Sequence, residues 1–293
     1  MMPTATLQIL LEDLRQPTWQ ERYVGDRKRY ATASSVRFLD SHTLVCCSLL
    51  ARKIYLIRFD LEGRRFEILD RADTMYVGKT AQTDLCDIDD RGHIITSNCE
   101  AGSLSLYRHG GDKICFVRDL PTRLEGNFCH GARFCGPDVV VAAVHRDPRG
   151  AHFFDAQTLK KLLYIETEHP AKDICFLPNA RAILVTTAGS PTTKPQEGYL
   201  SENLLVKFDL KSRSCKIFKK QTYPAGQFDS AVVHEDNLFV VDGGRGSILV
   251  IDVHTLQQVD QIDGYDFPHG IDINYGMMAI TSYGTNSIYV RSL

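Results

Sequence analysis

Short stretches of alternating side chains recur along the whole chain and are separated by turn-forming residues. In SIYVRSL, Ile288 and Val290 alternate with Tyr289 and Arg291, which is the two-residue period of a β-strand with one buried face. Turn residues such as Asp90-Arg91-Gly92 and Gly136-Pro137-Asp138 fall between the stretches. No window keeps the period of a helix, so the pattern predicts an all-β protein.

Six copies of one unit follow each other along the chain. Each copy has a short first strand, a turn, an apolar second strand, a polar or Gly-rich loop, a third strand and a more polar fourth strand. The first strands are SSVRF, TDLCDI, HGARF, KDICF, DSAVV and HGIDI. The aligned aliphatic positions recur every 40 to 57 residues and are Val36, Leu85, Ala132, Ile174, Ala231 and Ile271.

Repeats of about 40–50 residues are typical of β-propeller blades. We therefore predict a single domain over residues 1–293, a six-bladed β-propeller of four-stranded antiparallel blades. The alternative is a β-sandwich or two stacked β domains. Six similar repeats with no linker between them argue against that alternative.

The sixth copy ends at Leu293 after its third strand, so its fourth strand must come from elsewhere. The N-terminal stretch Leu7–Glu12 (LQILLE) can supply it, and its continuation resembles the outer strand EILDRAD at Glu67–Asp73. Pairing it there would close the ring and remove an open sheet edge. The segment Trp19–Val24 is the alternative for this role.

Charge and composition indicate which binding partners and which cellular compartment to expect. The chain has 34 basic and 36 acidic residues, a formal net charge of -2, and no Lys/Arg block that would mark a membrane surface. We therefore expect no nucleic-acid partner and no membrane association. The nine cysteines form no C-x-x-C motif, and Met1–Leu14 lacks the basic start of a signal peptide. A reduced, cytoplasmic location is predicted.

The blade alignment also predicts which side chains meet in the central channel. The first strand of each blade begins at one channel face, and two positions before the aligned aliphatic residue stand Ser34, Thr83, His130, Lys172, Asp229 and His269. One position later stand Ser35, Asp84, Gly131, Asp173, Ser230 and Gly270. His130 and His269 belong to blades 3 and 6, so a six-fold ring places them opposite each other. Each precedes a glycine, which lets a backbone or a ligand come close.

Loops between the second and third strands reach the same face. They add four candidate substrate-binding residues, which are Glu100, His145, Arg245 and Tyr283. The Pro-, Gly- and Ser-rich stretch Gly189–Asn203 of blade 4 predicts a long loop over the channel mouth. This loop is either a lid over the site or has no function. Each candidate also has a structural interpretation: the histidines can satisfy carbonyl groups, Asp84 and Asp229 can cap turns, and Arg245 can pair with Asp242.

On its blade pattern and on the segments HGARF and FPHGIDI, the chain resembles a broad propeller superfamily from Leu7 to Leu293. This superfamily comprises the NHL-repeat, gluconolactonase-like and streptogramin-lyase-like proteins. The resemblance implies metal-dependent lactonase or lyase chemistry with a channel histidine, or a platform that only binds partners. Only His130 and His269 match the histidine placement. A third histidine and the Glu/Asn/Asn/Asp metal set of the lactonases have no counterpart here.

Two functions are consistent with these features. The first is a non-redox enzyme (a lyase, cyclase, isomerase or hydrolase) acting on a small molecule in the channel, since no P-loop or G-x-G-x-x-G motif predicts a nucleotide cofactor. His130 and His269 would be acid/base residues or ligands of one divalent metal ion. Asp229 or Asp84 would orient them, and Lys172 or Arg245 would bind an anionic group. The alternative is a non-catalytic scaffold for a protein or peptide partner.

Overall fold

Six four-stranded antiparallel sheets surround a central channel. The computed structural model describes residues 6–11, 33–99, 101–122, 128–187, 200–224 and 226–293. Within these ranges, the regular secondary structure is entirely β. No helix among the described residues is long and apolar enough to cross a membrane. The all-β prediction and the six-bladed propeller are confirmed.

The strands follow the predicted repeat. The first strand is β1 (Thr6–Leu10). Blade 1 contains β2 (Ala33–Asp40), β3 (Thr43–Ser48), β4 (Lys53–Asp60) and β5 (Arg65–Asp73). A hairpin follows, formed by β6 (Met75–Tyr76) and β7 (Lys79–Thr80). Blade 2 contains β8 (Thr83–Ile88), β9 (His93–Asn98), β10 (Ser103–Gly110) and β11 (Lys113–Leu120). Blade 3 contains β12 (Cys129–Phe134), β13 (Val139–Val144), β14 (Gly150–Asp155) and β15 (Lys161–Glu166).

The second half of the chain repeats the pattern. Blade 4 contains β16 (Ala171–Leu177), β17 (Arg181–Thr187), β18 (Leu200–Asp209) and β19 (Ser214–Pro224). Blade 5 contains β20 (Phe228–His234), β21 (Asn237–Asp242), β22 (Ser247–Asp252) and β23 (Gln258–Asp263). Blade 6 contains β24 (Pro268–Asn274), β25 (Met277–Ser282) and β26 (Ser287–Ser292).

The N-terminal strand β1 completes blade 6. It pairs antiparallel with β26, and Ile9 stands opposite Ile288 in the register. The side chains of Leu7, Ile9 and Leu11 are buried against blade 1. The predicted closure is therefore confirmed for the described part of Leu7–Glu12, and the ring has no open edge at this point. The alternative segment Trp19–Val24 lies outside the described residues.

The apolar core is divided among the blade interfaces. Six hydrophobic clusters each combine residues from two neighbouring blades, and together they cover all six interfaces of the ring. The interior strands are therefore covered on both faces, which explains runs such as VVVAAV in β13 that are apolar without alternation. Burial between blades thus fixes where each inner strand begins.

One part of the blade 4 prediction is wrong. Leu200–Asn203 was expected to belong to the loop Gly189–Asn203, but these four residues begin β18 and pair with β17 and β19. Their polar side chains find partners inside the sheet: the Ser201 hydroxyl donates to the Gly226 carbonyl and lies 3.0 Å from the Thr187 hydroxyl. The rest of the predicted lid, residues 189–199, lies outside the described residues.

Buried and partly buried carboxylates join the inner strands in a layer that the sequence pattern did not predict. Three of them each accept a backbone N–H from the inner strand of the next blade: Asp272 from Phe38, Asp87 from Phe134, and Asp173 from Ala231. Two arginines compensate their charge. Arg133 makes a two-point contact with Asp173, and Arg37 lies 3.4 Å from Asp87. This layer links blades 6, 1, 2, 3, 4 and 5 around the channel.

Candidate functional site

Side chains from five inner strands converge on one buried cluster in the channel. It contains Asp84, His130, Lys172, Asp229 and His269, whose side chains are at most 5% exposed. The imidazole rings of His130 and His269 lie 5.5 Å apart between centroids. The structure therefore brings together all four predicted catalytic residues, with Asp84 in addition.

A β-bulge occurs in every inner strand where the channel residue stands. The register shifts lie between Ala33 and Ser35, Thr83 and Cys86, Cys129 and Gly131, Ala171 and Asp173, Phe228 and Ala231, and Pro268 and Ile271. A bulge interrupts the strict alternation of side chains and re-aims the extra residue. Asp84 reaches the cluster from the second position of β8, as His130 does from the second position of β12. The predicted alignment of blade 2 on Leu85 is therefore one residue off, because Cys86 pairs in the register and packs in the blade interface at the place assigned to Leu85.

The two His-Gly pairs fix the direction of the imidazole rings. His130 Nδ1 lies 3.0 Å from the carbonyl oxygen of Lys172, and His269 Nδ1 lies 2.7 Å from that of Ser34. A carbonyl can only accept, so each Nδ1 carries the proton and each Nε2 faces the channel. A Cβ on Gly131 would stand 2.7 Å from the same Lys172 oxygen, and the Gly270 Cβ would stand 2.7 Å from the Ser34 oxygen. Glycine therefore admits the carbonyl that orients each histidine.

Asp84 lies between the two free imidazole nitrogens. Its Oδ2 is 3.4 Å from His130 Nε2, and its Oδ1 is 3.5 Å from His269 Nε2. The Tyr283 hydroxyl donates to Asp84 Oδ1 at 3.3 Å. His130 Nε2 is buried and has no hydrogen-bond partner within the described part of the chain. Two imidazole nitrogens and one carboxylate thus converge with ligand atoms within 4.8 Å of one another.

Asp229 and Lys172 form a buried ion pair beside this group. Lys172 Nζ lies 3.0 Å from Asp229 Oδ1, and both side chains are fully buried. Burial alone would raise the pKa of Asp229, but the Lys172 ammonium and the two neighbouring histidines outweigh it and hold the pKa below its usual range. Asp229 is therefore ionised at neutral pH, and it also lies 3.6 Å from His130 Nε2.

Aromatic rings flank the two histidines in matching positions of blades 3 and 6. His145 stacks on His130 with centroids 5.0 Å apart, and Tyr283 stacks on His269 at 4.2 Å. Burial, together with the charge of Lys172, holds the pKa of His145 well below 6.5, so this imidazole is neutral. The sequence offered a signal for this row, since both blades carry Phe-x-His-Gly followed by an aromatic residue after the second strand.

The other predicted site residues have different positions. Arg245 lies in the turn after β21 with its Nε 3.8 Å from buried Asp242, as the structural interpretation expected. Glu100 lies outside the described residues. Burial raises the pKa of the Cys99 and Cys129 thiols near Asp84, which disfavours the nucleophilic thiolate at neutral pH.

The donor set allows a test of which metal ion the cluster could hold. Imidazole nitrogen suits zinc and related transition metals, whereas Ca²⁺ prefers six to eight oxygen ligands. The 3.4 and 3.5 Å separations between His130 or His269 and Asp84 match the edge of a tetrahedron with zinc-ligand bonds of about 2.0–2.1 Å. The hydrogen bonds at Nδ1 are those that orient metal-binding histidines. The donor set of two imidazole nitrogens and one carboxylate is therefore one that suits a zinc-type ion better than calcium.

Comparison with known proteins supports the fold. No protein-family model matches the chain. No curated protein matches it either. Among solved structures, it is similar to a calcium-binding protein, regucalcin, from Agrobacterium tumefaciens strain C58, with 13% identity, a TM-score of 0.62, and coverage of 94% of this chain and 93% of that chain.

It is also similar to the computationally designed Ika8 protein, with 10% identity, a TM-score of 0.52, and coverage of 89% of this chain and 71% of that chain. Identities this low carry the fold and not the function. They agree with the predicted superfamily resemblance at the level of architecture: this chain is a six-bladed β-propeller.

Proposed function

We propose that this protein is a metal-dependent, non-redox enzyme that processes a small molecule at the channel cluster. The metal would be a zinc-type divalent ion held by His130, His269 and Asp84. The observation that carries the proposal is the pair of carbonyl-fixed imidazoles, whose Nε2 atoms face one carboxylate at 3.4 and 3.5 Å.

The electrostatics of this arrangement call for a positive charge. With Nδ1 protonated, a neutral imidazole presents a lone pair at Nε2, and a lone pair facing a carboxylate oxygen is repelled. A cation between the three groups turns this repulsion into attraction. Protonation of the two Nε2 atoms is the other solution, and it would leave the site as an ion-pair cluster. The measurement of metal content separates the two.

The surrounding residues suit a substrate with an anionic or polarisable oxygen. A bound divalent ion would supply Lewis-acid polarisation of that oxygen. Lys172 presents a positive charge that Asp229 holds in place, which favours an anionic group on the substrate. Asp229 and His145 have lowered pKa values and are weak proton acceptors, so in this proposal Asp229 holds Lys172 in place and lies beside His130. Tyr283 keeps Asp84 oriented. Lyase, isomerase and hydrolase reactions all use such groups.

Metal binding by single-site variants tests the proposal. The protein is purified without chelators, its metal content is measured by mass spectrometry, and zinc is titrated into the stripped protein by calorimetry. We expect about one zinc per chain in the wild type and its loss in His130→Ala and His269→Ala. His254→Ala is the matched control, because the His254 side chain is 55% exposed and pairs with Asp236 at the surface, not with a residue of the cluster. Equal zinc binding in all four proteins would overturn the proposal.

The alternative function remains a non-catalytic scaffold for a protein or peptide partner. It predicts that the histidine variants keep partner binding and that stripped and zinc-loaded protein behave alike. The cytoplasmic location and the absence of nucleic-acid or membrane partners also remain predictions.

A further inference from the structure

Three cations stand side by side on blade 4, away from the channel. In the sheet register, Arg181 of β17 is opposite Lys207 of β18, which is opposite Lys216 of β19. Directly opposite residues point to the same face with Cβ atoms about 4.5–5.5 Å apart, and like charges in such positions destabilise a sheet. Among the described residues, no carboxylate lies within ion-pair distance of any of the three.

A cavity of about 450 Å³ adjoins these cations. Besides Arg181, Lys207 and Lys216, its lining residues are Phe208, Asp209, Ser214, Cys215 and Phe218. Phe218 is 48% exposed and so presents an aromatic ring at the surface beside the cations, whereas Phe208 is buried in the core between blades 3 and 4. The Asp209 carboxylate is engaged elsewhere, since it accepts hydrogen bonds from the Lys211 N–H and the Ser212 hydroxyl.

The surroundings add to the positive charge. The hairpin from Lys207 to Lys220 contains six basic residues and one acidic residue, although the whole chain has a net charge of -2. Of these, Lys220 is paired with Glu168 and Glu202. The outer strand of the neighbouring blade, β23, is instead acidic, with Asp260 and Asp263. The positive charge is therefore local to blade 4 and does not belong to a general basic face.

We propose that this surface, formed by Arg181, Lys207, Lys216 and Phe218, docks an acidic segment of a partner protein. The cations span about 10 Å across three strands, given a strand spacing of about 4.8 Å, so one small anion does not reach all three. In an extended peptide, carboxylates two residues apart are about 7 Å from each other on one face. An apolar side chain of the same peptide would lie in the cavity against Phe218.

Fluorescence anisotropy with a defined probe tests the docking. The probe is a fluorescein-labelled decapeptide with serine at every second position and, at the positions between, glutamate with one central leucine, so that the acidic and apolar side chains share one face when the peptide is extended. Its partner probe has glutamine in place of glutamate. We expect the double variant Lys207→Gln/Lys216→Gln to bind the acidic probe at least about tenfold more weakly, with a shallower salt dependence. Phe218→Ser should weaken binding without changing the salt dependence. The control is Lys79→Gln/Lys160→Gln, which removes two exposed lysines elsewhere.

A thermal melt of the same variants distinguishes docking from the other role of lysines near a sheet edge, which is to prevent the edge from pairing with another chain. Relief of the repulsion should keep or raise the Tm of Lys207→Gln/Lys216→Gln while binding is lost. An unchanged affinity in that variant would overturn the proposal. Equal binding of the glutamine probe, tighter binding of a short single-stranded DNA, or full competition by millimolar inorganic phosphate would also overturn it. None of these readouts depends on metal binding in the channel.

Discussion

Replacement of Gly131 by alanine probes the link between the blade interface and the channel histidine. The new Cβ would stand 2.7 Å from the Lys172 carbonyl oxygen and 2.9 Å from the Ala143 Cβ. An ordinary contact begins at 3.4 Å, so the carbonyl must move by about 0.7 Å. The His130 Nδ1 hydrogen bond, now 3.0 Å long, would then lengthen beyond hydrogen-bonding distance.

The size of the effect follows from three contributions. Overpacking costs about 1–3 kcal/mol. Loss of the buried hydrogen bond costs about 0.5–1.5 kcal/mol. The lower chain entropy of alanine in the unfolded state offsets about 0.4–1 kcal/mol. We therefore expect the free energy of unfolding to fall by about 0.5–4 kcal/mol. Zinc affinity should fall about 10–100-fold, because the orientation of His130 is lost.

Urea denaturation and zinc calorimetry on the purified variant measure these two quantities. Gly110→Ala is the control, because its Cβ would meet no atom within 4 Å and its backbone is not in the left-handed region. It should be as stable as the wild type or slightly more stable. A Gly131→Ala protein with wild-type stability and wild-type zinc affinity would refute the role assigned to the His-Gly pair.

Three further predictions concern the ring itself. Asp173→Ala leaves Arg133 buried without its two-point partner and should lower the free energy of unfolding by about 3–5 kcal/mol in urea melts. Ile9→Ala should lower the free energy of unfolding by about 2–5 kcal/mol, because Ile9 is fully buried in the strand that completes blade 6. A loss no larger than that caused by a substitution at an exposed site would contradict the closure. Burial raises the pKa of Asp87 to about 6 although Arg37 opposes it. The folded state then binds a proton that the unfolded state releases near pH 4, so the contribution of Asp87 to stability should fall by about 1–3 kcal/mol as the pH rises from 4 to 6.5. Histidines with a lowered pKa, such as His145, act in the opposite direction, so the effect is measured as the difference in the free energy of unfolding between the wild type and Asp87→Asn at each pH.

Much of the fold could be predicted because each blade repeats the same order of apolar, polar and turn-forming residues. The aligned first strands, the turns between them and the apolar second strands follow directly from burial on alternating or on both faces. The closure by Leu7–Leu11 followed from a missing strand. The start of β18 at Leu200 could not be predicted, since Ser201 and Asn203 are polar and become acceptable in a sheet only through partners distant in sequence.

The candidate site was partly predictable for a physical reason. Opposed blades brought His130 and His269 together, and the alignment also gave Lys172 and Asp229. The central position of Asp84 was hidden because the repeat aligns blade 2 on Leu85, whereas Cys86, one residue later, occupies the equivalent core position. The carboxylate layer of Asp87, Asp173 and Asp272 was hidden because its backbone hydrogen bonds join different blades. Charged residues inside otherwise apolar strands, as in SSVRF and HGIDI, were the signal that could have revealed it.

The most direct test of the central claim is a crystal of the protein grown with zinc and measured at the zinc absorption edge. The account predicts one anomalous peak in the channel, bonded to His130 Nε2, His269 Nε2 and a carboxylate oxygen of Asp84 at about 2.0–2.2 Å. The absence of a peak there in zinc-saturated crystals, with the Nε2 atoms in direct hydrogen bonds to Asp84, would contradict the account.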